Sequence, residues 1–496
     1  MEKTFLIQKR SKMNGALIGI IAEARKCFEQ ILAYVSNDFT IQQIHEVEES
    51  IYKQLMPLGK RLLEVFVTGQ GTGNMGQVHQ DSHGQKRDFH SNRTRQYVSI
   101  FGEVKITRAY YWRQGKEGIC PLDAKLNLPQ NSHSYVLEKW VGILTAHGAY
   151  GEGREILERL TGVKIWNESI ERMAERGSVQ TEEFYDERQP SQLEEKELLV
   201  FSVDGKGIPM KKEEPVKKKK RLKKGEKPGK KKMSIVTAVY TVERSVRTAK
   251  DIVEDIAKEP KSGNNNPKEA RPKPQNKIVR ATLKGKEAGF EALEKEVKRR
   301  DPEGKKEKVA LVDGEKKLRR LTKVFFTSAC IVLDIFHVLE YLWRAAHVFY
   351  SEGSDEAETW ARGMLFALLE GKVEEIIFYL RHCLQEKQLS SARKNTIKKV
   401  IGYLENGKDC MKYDEYIAKG YPIGSGVVEG ACRNLVKDRM ERSGMHWTES
   451  GAEVVLNIRS IELNGLLDDY WKFRVVSEHK RLHQSYSEED CLLWAA

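Results

Sequence analysis

The chain has no pair of cysteines at C-x-x-C spacing. Its seven cysteines stand singly along 496 residues. That pattern excludes a structural zinc site built from paired cysteines and offers no disulfide framework, and it suits a reducing cytosol. Long apolar runs are missing too. The most apolar stretch, Val324 to Phe336, is too short to cross a bilayer and contains Asp334. The first ten residues, MEKTFLIQKR, hold no apolar core of signal-peptide length. The expectation is a cytoplasmic protein with no membrane partner. Two common catalytic signatures are also absent: a phosphate-cradling G-x-x-x-x-G-K-[ST] loop and a G-x-S-x-G nucleophile elbow. Lone cysteines beside distant histidines are no evidence for a thiol nucleophile.

Charge is abundant instead. Charged residues make up 32% of the chain and hydrophobic ones 40%. The length allows two to four domains with a sizeable core. Of the formal net charge of +13, ten lies between Lys211 and Met233, where 13 Lys and Arg face 3 Glu. The rest of the chain is close to neutral. An argument for nucleic acid from overall charge is therefore weak, and the position of the basic run has to carry it.

Along the chain, residues 14–36 and 40–68 read as two amphipathic helices. Leu17, Ile20, Ile21, Ala24 and Phe28 recur at helical spacing, Asp38 and Thr40 suit a cap, and Pro57 a kink. Residues 69–92 contain His79, His83 and His90 without Cys or carboxylate partners at ligand spacing, so they read as a polar loop rather than a metal site. Thr94 to Trp112 alternates around Gly102-Glu103, which suits a β-hairpin. Ser134 to Arg176 is helical. Within it, Gly162 lies in a turn and Asn167 caps the next helix, at helix-turn-helix spacing. A helical hairpin buried in a core would show the same pattern.

Three acids then stand out. Leu198-Leu-Val-Phe-Ser-Val reads as a buried strand ending on Asp204-Gly205, followed by the basic run and a second strand over 234–243. Lys308-Val-Ala-Leu-Val repeats the design and ends on Asp313-Gly314. A further strand leads to Asp334 and His337, and Leu342 to Leu404 is helical. Finally Tyr421-Pro-Ile-Gly-Ser-Gly-Val-Val-Glu429 passes from a turn into a helix, with Ser425 as a cap candidate and Arg433 and Lys437 at spacings of four. Taken alone, Glu429 is equally a first-turn acid favoured by the helix dipole, and each strand-end Asp a loop cap. Together they can do more. Functional groups gather at the carboxyl ends of strands in an α/β sheet. Three converging carboxylates repel one another, and hard divalent cations remove that penalty. Two such ions about 4 Å apart serve phosphodiester chemistry.

The segments VDGKGI, LVDGE, LDIFHVLEYLW and YPIGSGVVEGACRNLVKDRMERSGMHW resemble bacterial insertion-sequence transposases with a DDE triad, related to the Mutator-like group. FGEVKITRAYYW, PLDAKLNLP and LTGVKIW resemble the N-terminal half of that family, so the likeness covers most of residues 94–471. It implies an α/β ribonuclease-H-like catalytic domain with a mixed sheet, in two parts (196–344 and 419–475) around a helical insertion (345–418). A helical region (1–92) and a β-hairpin plus helix-turn-helix-like DNA-binding region (93–190) would precede it, and a tail (476–496) would follow. It implies Asp204, Asp313 and Glu429 as catalytic metal ligands for Mg²⁺, with Mn²⁺ as a substitute. Asp334 and His337 match the family's Cys-or-Asp-x-x-His signature, with His337 placed to contact the scissile phosphate or orient an acid; a helix-start His paired with Asp334 is the plainer reading. Arg433, Lys437, Arg439 and Arg442 would neutralise DNA phosphates, or form a solvated helix face. The implied partners are DNA (element ends and target) and a second copy of the chain on paired ends, on the bacterial nucleoid. Relatives often carry cysteine pairs near the hairpin; only Cys120 stands there, so no zinc is expected. A non-transposing nuclease of the same fold, or a DNA-binding protein that no longer cuts, would share the catalytic half.

Overall fold

The structure is a computed structural model that describes residues 15–36, 43–81, 84–190, 195–211, 231–257, 271–386 and 388–483. The chain divides into two compact units. One combines residues 1–180 with 467–496, and the other spans 181–466. Most of the basic run, 212–230, lies outside the described residues. No helix among the described residues is long and apolar enough to cross a membrane.

In the first unit the two N-terminal helices are Gly15–Val35 and Ile44–Gly69. A three-stranded antiparallel sheet follows: β1 (Val78–Gln80), β2 (Lys86–Ser99) and β3 (Gly102–Trp112). Residues 69–92 are thus not a continuous loop. β2 begins at Lys86 and crosses the expected boundary at 92; its first half, KRDFHSNR, holds a single apolar residue, Phe89, and so shows no apolar alternation to read. His79 is buried against Tyr111, His90 lies against Tyr110 and Trp112, and His83 is outside the described residues.

Helices Tyr135–His147, Tyr150–Thr161 and Asn167–Ser178 complete the N-terminal part of this unit. Gly162 ends the middle one in the left-handed region, with φ 72°, where only glycine is free of steric penalty. Leu137, Val141, Leu157, Ile170 and Met173 pack together beneath them. The exposed side of Asn167–Ser178 carries Glu168, Glu171 and Glu175 against Arg172 alone. As a DNA-reading helix this segment is therefore poorly charged.

The helix Leu467–Leu482 also belongs to this unit. The expected division at 475, with a catalytic part before it and a tail over 476–496, is corrected here, since one helix runs across that boundary. A buried carboxylate recruits it. Glu138, 0% exposed, accepts from Arg176 Nε at 2.8 Å and Arg474 Nη2 at 2.9 Å. The Tyr470 hydroxyl donates to the Gly177 carbonyl and Trp471 Nε1 to that of Tyr135.

The second unit is mixed α/β. Its sheet has the order β6-β5-β4-β7-β8, from β4 (Leu198–Pro209), β5 (Lys231–Val242), β6 (Gln275–Thr282), β7 (Glu307–Val312) and β8 (Cys330–Leu333). β4, β5 and β6 are antiparallel neighbours, whereas β4, β7 and β8 run parallel. Helices Lys286–Arg300 and Lys316–Phe325 make the two crossovers. β4 is buried along LLVFSV without alternation, as a central strand covered on both faces must be. The helices Ile335–Phe349, Asp355–Leu369, Val373–Glu386, Ser391–Gly407 and Tyr413–Ala418 extend the same core through residues such as Leu342, Leu365, Leu380 and Leu404. Ser354 and Ser390 cap two of them through side-chain oxygens.

Replacing Glu138 leaves two guanidinium groups, one of them buried, without their shared carboxylate. Glu138→Ala is expected to destabilise the first unit by about 3–5 kcal/mol, the range for breaking a buried ion pair. Scanning calorimetry would register this as an early separate transition; an unchanged trace would rule the network out as the tie that holds the C-terminal helix.

Candidate active site

Parallel pairing places two of the three acids side by side. Val203 lies opposite Val312, the last residue of β7, so Asp204 and Asp313 follow at one level on neighbouring strands. One expectation needs correction here. β4 does not end at Asp204 but continues through Gly205 and Gly207 to Pro209, because β5 pairs with it all the way to Lys231. The glycines do not turn the chain. A Cβ at Gly205 would come within 3.0 Å of the Met233 side chain, and one at Gly207 within 3.1 Å of that of Lys231.

Each carboxylate is held locally. Asp204 Oδ1 accepts from the Gly205 N–H at 2.6 Å, and its Oδ2 from the Cys432 thiol at 3.2 Å. Asp313 Oδ1 accepts from the Glu315 N–H at 2.9 Å. Burial holds the Asp313 carboxyl above its ordinary range; the Glu315 N–H opposes this, the Asp204 charge adds to it, and His337 opposes it. Both Asp204 and His337 are therefore near enough to Asp313 to act on it electrostatically. Burial, then the Asp204 charge, likewise keeps the Cys432 thiol far above the usual thiol range.

Glu429 stands in the first turn of the helical run 426–440, whose start packs on β4 and β5. It is exposed, and its Oε1 accepts from the Ser425 hydroxyl at 3.0 Å rather than pairing with Arg433. Cys432, one helical turn on, senses the charges of both Glu429 and Asp204. The site thus runs as a chain from Asp313 through Asp204 and Cys432 to Glu429. Among the described residues no group of three or more His, Cys, Asp or Glu side chains is gathered tightly enough to hold a metal ion by itself. A pair of carboxylates is a sufficient protein contribution for Mg²⁺, which keeps waters and takes phosphate oxygens.

What sets the height of the Glu429 helix is Asp334. It is 0% exposed and caps the helix Ile335–Phe349. Its Oδ1 accepts from the Phe336 N–H at 3.3 Å and from the Ser425 N–H at 3.0 Å. The backbone on either side is fixed as well: Asp334 N donates to Val312 O and Ile335 N to Ile423 O, both at 2.9 Å. Asp334 is thus a positioning residue rather than a partner of His337.

The helical run 426–440 contains a π-turn over Cys432–Lys437. Such turns leave carbonyls without their usual i+4 donors. Arg459, from the helix Glu449–Leu463, supplies donors instead: its Nε lies 2.9 Å from Asn434 O and 3.1 Å from Leu435 O. Of the expected phosphate-binding cations, Arg433, Lys437 and Arg442 are exposed. Arg439 is not. At 1% exposure it lies over the Trp447 ring, 4.9 Å from its centroid, with its Nη1 3.2 Å from the Met445 sulfur. The sequence carried the signal: Arg439 is four residues past Leu435 and three past Val436, on the buried stripe. Cys432 and Arg459 were missed as site residues, because a thiol on an apolar stripe and an Arg on a distant helix give no local sign of their partners.

No protein-family model matches the chain, and no curated protein matches it.

Because the folded Asp313 carboxyl keeps its proton to higher pH than the unfolded chain does, its contribution to stability is present at low pH. It is lost as pH rises from the unfolded value, about 4, through the raised folded value. Asn in its place can accept the same Glu315 N–H without carrying charge. Asp313→Asn is expected to raise the melting temperature at pH 7 by about 2–4 °C, the shift that about 1 kcal/mol produces, and to leave it unchanged at pH 3. A lower melting temperature at pH 7 would show that the charge is compensated.

Proposed function

We propose that this chain is a DDE-type DNA transposase that cuts phosphodiester bonds at insertion-sequence ends and joins the freed strand to target DNA. The observation that carries the reading is the level placement of Asp204 and Asp313 on adjacent parallel strands, with the helix of Glu429 packed against the first of them. The strand order supports it: three antiparallel strands followed by two parallel ones with helical crossovers are what a ribonuclease-H-like catalytic domain calls for. The expected insertion, 345–418, is compatible with the four helices between Asp355 and Ala418, which follow the second acid and precede the third in the chain.

The donor set fits Mg²⁺ or Mn²⁺. Asp204 and Asp313 offer oxygen only, and each sits in the field of the other, a cost that a divalent cation relieves. When bound, the metal supplies an activated water and neutralises charge on the leaving oxygen. The protein's own groups set the geometry. The Gly205 N–H and Cys432 thiol orient Asp204, and the Glu315 N–H orients Asp313. His337 stands close to Asp313 to contact the scissile phosphate. Arg433, Lys437 and Arg442 neutralise neighbouring phosphates from the exposed face of the third acid's segment. In the first step water attacks phosphorus and the P–O3′ bond breaks. In the second the freed 3′-hydroxyl attacks a target phosphodiester, forming a new P–O3′ bond as the target's own P–O3′ bond breaks and its 3′-oxygen leaves as a hydroxyl. Two copies on paired ends, acting on the nucleoid, complete the reading.

The test is cleavage of a duplex carrying the element's own ends, with and without Mg²⁺. Asp204→Asn, Asp313→Asn and Glu429→Gln are each expected to lower the rate by at least ~10³-fold, the order seen when a group essential to catalysis is removed, while DNA binding persists. Mg²⁺ should also raise the melting temperature of the wild type and not that of Asp313→Asn. End binding without cleavage by the folded wild type would sink the enzymatic reading; cleavage surviving in Asp313→Asn would remove that residue from the triad.

A further inference from the structure

A cavity of about 350 Å³ opens beside the second acid, within the second unit. Gly314, the residue after Asp313, forms part of its wall, together with Lys316, Arg319, Arg344 and Lys399. Among the described residues no Asp or Glu lines it. Four cations around one concavity repel one another unless something negative enters. Their neighbours do little to offset this. Arg344 has Glu340 at 3.5 Å, but among the described residues no carboxylate pairs with Lys316, Arg319 or Lys399. This contrasts with the adjacent lysines Lys286 and Lys317, which are paired with Glu315 and Glu287.

The cavity is also built rather than incidental. Arg319 is anchored by Nη1, which donates to the Asn406 carbonyl at 2.5 Å, so its guanidinium is held in place by a neutral partner that leaves its charge uncancelled. One wall is a stack. A Cβ at Gly314 would come within 2.2 Å of the Tyr403 ring, Tyr403 lies on Tyr341 with centroids 3.7 Å apart and planes 7° apart, and Arg344 covers Tyr341 at 4.6 Å. The aromatic faces are thus taken up within the wall, so the cavity does not offer a stacking platform for a base. Its chemistry is that of an anion site. Lys and Arg at a concave site recognise phosphate oxygens, and the cavity adjoins the residue after Asp313.

We propose that this cavity binds phosphate, and that it holds a backbone phosphate of the DNA strand next to the one being cut. The assignment of the strand as the source rests on the transposase reading; the anion site does not. In its bound state Lys316, Arg319 and Lys399 fix the register of the strand, so that the scissile phosphate sits over Asp204 and Asp313.

The experiment compares the wild type with Lys316→Gln/Arg319→Gln/Lys399→Gln and with a control of equal charge change away from the cavity, Lys250→Gln/Lys295→Gln/Lys298→Gln. Fluorescence anisotropy measures affinity for an end-bearing duplex across a salt series, and calorimetry measures binding of inorganic pyrophosphate. The cavity variant should bind DNA at least tenfold more weakly, with a salt slope reduced by about 1–3, and should lose pyrophosphate binding; the control should do neither. If pyrophosphate binding depends on the three residues but DNA affinity does not, the strand is overturned as the source and a free phosphate compound stands. If neither ligand responds while the wild type cuts DNA, the cavity proposal falls and the transposase reading survives. If the wild type neither binds nor cuts DNA, that reading falls, and the pyrophosphate arm alone decides the cavity. Should the triple variant misfold, the single change Lys399→Gln, at an exposed position, is read in the same two assays.

Discussion

The second unit of this protein depends on one buried carboxylate. Asp334 sits where β8 ends, one hydrogen bond from the last residue of β7, and holds the backbone of Ser425 on a segment 91 residues later. A carboxyl group at zero exposure is costly unless donors meet it. Here the donors are two backbone N–H groups from the two elements that must be brought together, the start of one helix and the turn before another. The carboxylate therefore converts its own need for hydrogen bonds into a fixed spacing between the end of the sheet and the helix of Glu429.

Around that fixed point the site is electrostatically unfinished. Asp313 is pushed upward by burial and feels the Asp204 charge, while Cys432 donates a weak S–H bond to Asp204 and stays protonated. On the proposed transposase reading, a weak donor leaves Asp204 able to exchange it for a metal ion. A strong ion pair at Asp204 would have to be broken before any cation could bind. The cations near the site are arranged accordingly. Those on the helical run either face solvent or, like Arg439, are absorbed into packing over Trp447. Those at the cavity beside Gly314 are set in a wall that, among the described residues, holds no acid.

The π-turn after Glu429 belongs to the same economy of geometry. It interrupts the regular hydrogen bonding of the helical run, and Arg459 from the following helix takes up the carbonyls of Asn434 and Leu435. The helix Glu449–Leu463 thereby braces the segment that carries the third acid. The next helix leaves for the other unit, drawn by Glu138 and its two arginines.

Much of this was legible in the residues alone. The unbroken apolar runs of β4 and β7 announced buried strands, turn residues bounded the hairpin, and the three acids stood out because each follows an apolar run or opens a helix. Those signals are local, and local periodicity reports burial directly. Tertiary structure decided what depends on partners far along the chain. β4 runs past Asp204 because β5 pairs with it as far as Lys231. The first half of β2 is a strand because β3 lies beside it, not because its own side chains alternate. Arg439 turns inward because an aromatic ring and a buried stripe await it, and the C-terminal helix joins the first unit because a buried Glu needs a second Arg. The residue types fixed which groups could do chemistry; hydrogen bonding and charge compensation across long sequence separations fixed where each one stands.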